Sequence, residues 1–175
     1  MINSRDIQST YLTSLFCPER LETVIDDVVK MIGDTKFDAI ACRGMSGSLV
    51  AGIVSLRMKK PLIIVRKQKK GHHSRFCVEG YLPQFKDLKY IIIDDLVYRG
   101  ITVTRIIQKI RNERGRGSFK YLTECVGLYL YDGGTRSLTC TTFGKFIQNN
   151  VYGKIVDSRH GIIYDHFCHP EVVND

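Results

Sequence analysis

Four short, largely apolar runs, Phe37–Cys42, Pro61–Val65, Lys89–Ile93 and Tyr121–Tyr131, alternate along this chain with segments of helical periodicity. Continuous apolar runs of strand length suit strands buried on both faces, and strands alternating with helices can pair in parallel only if each helix crosses over the sheet. The first helix is read from Pro18-Glu19 onward, with Leu21, Val24, Ile25, Val28, Val29 and Ile32 at spacings of three and four and Gly33 as its stop. Two more are read over 46–58 and about 103–113. The pattern predicts one α/β domain over 1–175, with a largely parallel central sheet flanked by helices. Its core spans about 19–131, and 132–175 forms a less regular tail or small hood. Sheets of this kind bind ligands beyond the carboxyl ends of their strands, which directs attention to the residues just after Cys42, Val65 and Ile93.

Charge points to the same places. The net charge of +8 is concentrated in residues 57–75, where Arg57, Lys59, Lys60, Arg66, Lys67, Lys69, Lys70 and Arg75 stand without an acid. A second cluster, Arg105, Lys109, Arg111, Arg114, Arg116 and Lys120, is offset only by Glu113. Such excesses favour an anionic partner: nucleic acid, a membrane surface or a phosphorylated small molecule. The longest stretch free of charged residues, 44–56, is shorter than the roughly 18 apolar residues that a membrane span needs. The polar start Asn3-Ser4-Arg5-Asp6 lacks the apolar segment of a secretory signal, so a cytoplasmic protein is expected. Six scattered cysteines without a Cys-x-x-Cys pair suggest buried reduced thiols.

The stretch Tyr90-Ile91-Ile92-Ile93-Asp94-Asp95-Leu96-Val97-Tyr98-Arg99-Gly100-Ile101-Thr102-Val103 carries the most chemistry. A buried strand delivers two adjacent carboxylates, and a short Gly- and Thr-bearing loop leads into a helix N-terminus, where free N–H groups and the helix dipole favour a phosphate. Acids beside a phosphate cradle suit a sugar phosphate, because carboxylates accept hydrogen bonds from ribose hydroxyls. A capped strand-to-helix turn, with the acids serving only the helix end, is the alternative.

This stretch resembles the phosphoribosyl-pyrophosphate signature of the type I phosphoribosyltransferases: four apolar residues, two acids and a loop ending in Thr-Gly-Gly-Thr or similar. The resemblance implies that Asp94 and Asp95 contact the ribose and that Tyr98, Arg99, Gly100, Ile101 and Thr102 wrap the 5′-phosphate. Arg99 stands where Thr is usual, and Ile101 where a second Gly is frequent. Cys42-Arg43-Gly44-Met45-Ser46-Gly47 is similar to the pyrophosphate loop of adenine phosphoribosyltransferases, which implies pyrophosphate contacts from Arg43 and Gly44. Arg66-Lys67-Gln68-Lys69-Lys70-Gly71-His72-His73 resembles the mobile catalytic loop of orotate phosphoribosyltransferases. Arg66, Lys67, Lys70 and His72 match that pattern, and His73 replaces the expected Gly. Lys67, Lys70 and His72 are thereby implied as catalytic, with Arg66 and Lys67 on the pyrophosphate.

The activity implied is Mg²⁺-dependent transfer of ribose-5-phosphate from phosphoribosyl pyrophosphate to a nucleobase-like acceptor. Mg²⁺ would be held by the substrate's oxygens and by Asp94 and Asp95, and a homodimer is the family's common assembly. Tyr98 stands where hypoxanthine-guanine enzymes of the family carry an Asp, which counts against a 6-oxopurine and leaves orotate, adenine, uracil and others open. Residues 1–18, or the tail aromatics Phe143, Phe146, Tyr152, Tyr164 and Phe167, are candidates for a hood over the base, though such aromatics also build cores. His160, His166, Cys168 and His169 are zinc-ligating types without an established spacing. Tyr131-Asp132-Gly133-Gly134-Thr135 reads as a turn. The rival to an enzyme is a non-catalytic sensor of phosphoribosyl pyrophosphate, or a nucleic-acid-binding protein, on the same scaffold, which the 105–120 cluster keeps open.

Overall fold

A computed structural model describes residues 12–67, 76–80, 87–114, 122–132 and 142–165. The elements are α1 (Pro18–Ile32), β1 (Ala39–Cys42), α2 (Gly44–Met58), β2 (Leu62–Val65), β3 (Val78–Gly80), β4 (Leu88–Asp94), α3 (Ile101–Arg114), β5 (Thr123–Leu130), α4 (Thr142–Gln148), β6 (Val151–Asp157) and β7 (Gly161–Asp165). A 3₁₀ turn, Thr13–Phe16, precedes α1. The seven strands form one sheet in the order β3-β2-β1-β4-β5-β6-β7. Its centre, β2-β1-β4-β5-β6, is parallel. β3 and β7 close the edges in antiparallel pairing.

The central strands are buried on both faces, and alternate residues serve different helices. Ala39 and Ala41 of β1 and Tyr90 and Ile92 of β4 pack with Val103, Ile106, Ile107 and Ile110 of α3 and with Ile147 of α4. Ile40 and Cys42, with Ile91 and Ile93, pack with Ile25, Val28 and Ile32 of α1 and with Val50, Ala51 and Val54 of α2. The apolar stripe of α1 is the buried one, and the helix stops at Gly33 (φ 51°) as read. Helix α2 begins at Gly44, ahead of the expected 46, and α3 spans 101–114 in place of about 103–113.

The tail departs from its expected irregularity. Within 142–165 it supplies α4 and two further strands of the same sheet. β6 eluded a reading by apolar runs because Gly153 and Lys154 interrupt it. Gly153 is dictated by space: a Cβ there would lie 1.9 Å from the Val126 carbonyl oxygen of β5. Gly153→Ala is therefore expected to force β5 and β6 apart and lower stability by about 1–3 kcal/mol, the cost of overpacking, readable as a lower denaturant midpoint.

Leu12 and Leu15 are core residues on the α1/α2 face, and Phe146 packs on the opposite core, whereas Tyr152 is exposed. Residues 1–11, 133–135, 166–169 and the ring of Phe143 lie outside the described residues. No helix among the described residues is long and apolar enough to cross a membrane.

Candidate active site

The carboxyl ends of the parallel strands converge on a cavity of about 480 Å³ lined by Arg43, Ser46, Lys67, Asp94 and residues 95–103. Segments distant in sequence meet there because β2, β1 and β4 are neighbours and each exits on the same side of the sheet.

β4 ends in the acid pair. Asp94 is 3% exposed, and its Oδ1 accepts a hydrogen bond from the Asp95 N–H at 3.1 Å. Asp95 Oδ1 in turn accepts one from the Leu96 N–H at 2.9 Å, which starts the loop. The same turn is tied to β5, since the Tyr131 and Asp132 N–H groups donate to the Asp94 and Asp95 carbonyls at 3.2 and 2.9 Å. Burial, then the neighbouring Asp95 charge, pushes the Asp94 carboxyl well above the usual carboxylate range, while Lys67 acts the other way.

The loop 96–100 turns at Gly100 (φ 72°), and the Gly100 carbonyl accepts the Thr104 N–H at 2.9 Å as α3 begins. The first N–H groups of α3 are thus presented at the cavity wall, where a phosphate would complete them. Ile101 takes the first helical position, so the left-handed conformation falls on Gly100 alone and the family's second glycine is not required in this loop. The Arg99 guanidinium lies 5.8 Å from the centre of the Tyr98 ring.

Arg43 and Lys67 add two cations to the lining. Arg43 is 7% exposed, and its Nη2 donates to the Lys67 carbonyl at 3.3 Å. Burial lowers its pKa, Arg105 adds to that, and Asp94 opposes both. The Lys67 side chain lies across Gly44, whose φ is 80°. Arg66, adjacent in sequence, points elsewhere: it forms an ion pair with Glu79 of β3 and is not part of the cavity lining. Its implied pyrophosphate contact is therefore not among those the cavity brings together. Lys70 and His72 lie outside the described residues. Burial pushes the Cys42 thiol up to about 11, which disfavours its thiolate at neutral pH.

Two buried side-chain atoms among the described residues, Arg43 Nε and Thr104 Oγ1, lack a hydrogen-bond partner, and the Tyr131 hydroxyl has that of Ser46 beside it. Arg43 lines the cavity, Thr104 follows the lining residue Val103, and Tyr131 sits against the acid pair. Leaving a buried polar atom unpaired costs about 1–3 kcal/mol, a cost that a polar ligand in the cavity would offset at Arg43, the one of these that lines it.

A family model, the phosphoribosyl transferase domain, matches residues 18–129, most of the chain and all of this site from Arg43 to Thr104. The chain belongs to the phosphoribosyltransferase family. It is 30% identical over 107 residues to an orotate phosphoribosyltransferase of Archaeoglobus fulgidus, a match covering 61% of this chain and 58% of that one. Another orotate phosphoribosyltransferase, from Rhizobium meliloti, is 29% identical over 105 residues, 60% of this chain and 42% of that one. The matches thus span about half the length of these curated relatives. Among solved structures, the orotate phosphoribosyltransferase of Aeropyrum pernix has a TM-score of 0.61 at 17% identity, covering 90% of this chain and 83% of that one. The type I phosphoribosyltransferase fold is therefore shared.

Sequence reasoning quoted Ser46 only as part of a motif and took Tyr131 for a turn residue. Both are brought to the acid pair by strand order. Arg105 was counted as surface charge, yet it stands near enough to Arg43 to act on it. At the ends of β5 and β6, Asp132 pairs with Arg159 at 3.5 Å, and buried Asp157 accepts the Arg159 N–H and faces His160 Nδ1 at 3.3 Å. His160 is thus engaged by Asp157, and no group of three metal-ligating side chains forms among the described residues. His166, Cys168 and His169 are outside them.

Proposed function

We propose that this chain transfers the ribose-5-phosphate unit of phosphoribosyl pyrophosphate to a nitrogen of an acceptor base, releasing pyrophosphate. The observation that carries the proposal is the meeting of an acid pair whose first member is buried, a helix-N-terminal loop and two cationic side chains around one cavity. In this reading the α3 N-terminus, Arg99 and Thr102 take the 5′-phosphate, and Asp94 and Asp95 accept the ribose hydroxyls. Arg43, Lys67 and the open backbone at Gly44 take the pyrophosphate. The C1–O bond breaks with its electron pair leaving on pyrophosphate, the C1–N bond forms, and the base nitrogen gives up its proton. The two cations work by meeting negative charge that grows on the leaving group in a site shielded from water. Each such contact contributes about 2–4 kcal/mol in the transition state, roughly 10²–10³-fold in rate.

Mg²⁺ fits this donor set, since it binds through one or two carboxylates together with substrate phosphates and not in an all-protein cage. Asp94 and Asp95 would hold it with the substrate, and it would neutralise charge on the pyrophosphate oxygens. The resemblance in the 66–73 segment supports Lys70 and His72 as further catalytic groups.

Pyrophosphate release with a panel of bases that includes orotate, adenine and uracil, with and without Mg²⁺, tests the proposal. Turnover with one base and not the others is expected. Binding of phosphoribosyl pyrophosphate without turnover on any base, together with salt-sensitive RNA or DNA binding, would instead establish the regulatory alternative.

A further inference from the structure

Arg66 and Lys67 leave β2 side by side in sequence and part at once. The antiparallel pairing of β2 with β3 sets Ile64 opposite Glu79 and Val65 opposite Val78. It runs one residue further, since the Arg66 N–H donates to the Cys77 carbonyl at 2.9 Å. Successive side chains of such a ladder point to opposite faces. Val65 and Val78 belong to the apolar cluster that also holds Val97 and Val103 of the cavity lining, and Lys67, two residues after Val65, lines that cavity. Arg66 shares the other face with Ile64, which packs on the α1/α2 side, and meets Glu79 as a diagonal neighbour across the two strands.

The ion pair sits where it sets the direction of Lys67. β3 is an edge strand of three residues, so few ladder bonds fix this end of the hairpin, and the Arg66–Glu79 pair ties it across. The Arg66 side chain is 18% exposed, which shields the pair from solvent more than an open surface pair. On its other side Lys67 is held by its carbonyl, which accepts Arg43 Nη2 at 3.3 Å, and its side chain lies across Gly44. Freeing Arg66 would let the Lys67 backbone turn at the end of β2 and carry the ammonium away from Gly44. Arg66 itself does not line the cavity, so it can act there only through its neighbour.

Resting on the reading given under Proposed function, we infer that Arg66 and Glu79 are positioning residues: their ion pair fixes the end of β2 so that Lys67 projects onto the pyrophosphate, a group that Arg66 does not touch.

Calorimetric titration of the full chain with inorganic pyrophosphate and Mg²⁺, and separately with ribose 5-phosphate, tests this. Arg66→Gln and Glu79→Gln are each expected to weaken pyrophosphate about three- to tenfold and to leave ribose 5-phosphate unchanged. The double variant is expected to bind as either single one does, because both substitutions remove the same tie. Arg66→Lys, which keeps a cation beside Glu79, is expected to recover most of the loss. A direct contact gives another pattern: Arg66→Gln would weaken pyrophosphate, while Glu79→Gln would release the guanidinium and leave affinity unchanged or tighter. That pattern, losses that multiply in the double variant, no recovery with Lys, or equal weakening of both ligands overturns the inference while the transferase reading stands. Wild-type protein that binds neither pyrophosphate nor phosphoribosyl pyrophosphate overturns that reading and the inference with it.

Discussion

Asp94→Asn is expected to make the ligand-free chain more stable at neutral pH while weakening its hold on the ribose about ten- to a hundredfold. Asp94 is buried against Asp95, and its carboxyl sits above the usual range because burial and then the Asp95 charge disfavour ionisation. Its folded pKa therefore exceeds the unfolded value of about 3.9, and between the two the folded state binds more protons. The stability this group contributes is fully present below the unfolded pKa and is lost as pH rises through the folded one. Asn has no proton to lose, and its Oδ1 can still accept the Asp95 N–H, so the variant escapes that loss. Relief of about 1–3 kcal/mol corresponds to roughly 2–4 °C in Tm per kcal/mol for a chain of this size. The advantage should grow with pH from the ordinary carboxylate range upward and vanish in acid. Binding moves the opposite way, because an amide replaces one carboxylate acceptor and a charge-assisted hydrogen bond to a ribose hydroxyl is worth about 1.5–3 kcal/mol. Melting curves across pH, together with titration by ribose 5-phosphate, read both effects. A variant that melts below wild type at pH 7, or binds the sugar phosphate equally well, would remove Asp94 from its assigned place.

What the sequence shows and what it hides follow one division. β1, β2, β4 and β5 are legible because each is a local apolar run, and the Asp94–Thr102 segment is legible because strand, acids, loop and helix start are contiguous. β3 is too short to stand out, and β6 is broken by Gly153, a residue whose reason lies across the sheet at Val126. Arg66 and Lys67 look alike in a basic run, yet one pairs with Glu79 on the antiparallel edge strand and the other crosses Gly44 into the cavity. Neither destination is encoded nearby. Tyr131 is the sharpest case, since its neighbours Asp94 and Ser46 arrive through strand order and a helix start far back in the chain. Contacts of that kind depend on which strands lie side by side, a property that no local pattern carries.

Gly44→Ala is expected to lower affinity for pyrophosphate about 10²–10⁴-fold, the loss of two hydrogen bonds to a charged group, while leaving ribose 5-phosphate binding nearly intact. At φ 80° a side chain is strained by about 1–2 kcal/mol, which already tilts the turn between β1 and α2. The added Cβ would also fall 2.6 Å from Lys67 Cε and 2.9 Å from its Nζ, distances that van der Waals contact does not allow. Something must move, and the flexible end of Lys67 yields before α2, which is anchored by buried Val50, Ala51 and Val54. The ammonium is thus driven from its place in the lining, and the close backbone approach that only glycine permits is closed at the same time. Arg43 remains, tied by its Nη2 to the Lys67 carbonyl, so the pocket should lose charge and access without losing its frame. Titration with the two ligands separates these effects from general unfolding, because the 5′-phosphate loop proposed at Tyr98–Thr102 belongs to a different connection, the one between β4 and α3. Pyrophosphate binding at wild-type strength in this variant would mean that the β1–α2 turn is not the pyrophosphate site, and equal loss of both ligands would mean that Gly44 serves the fold more than the ligand.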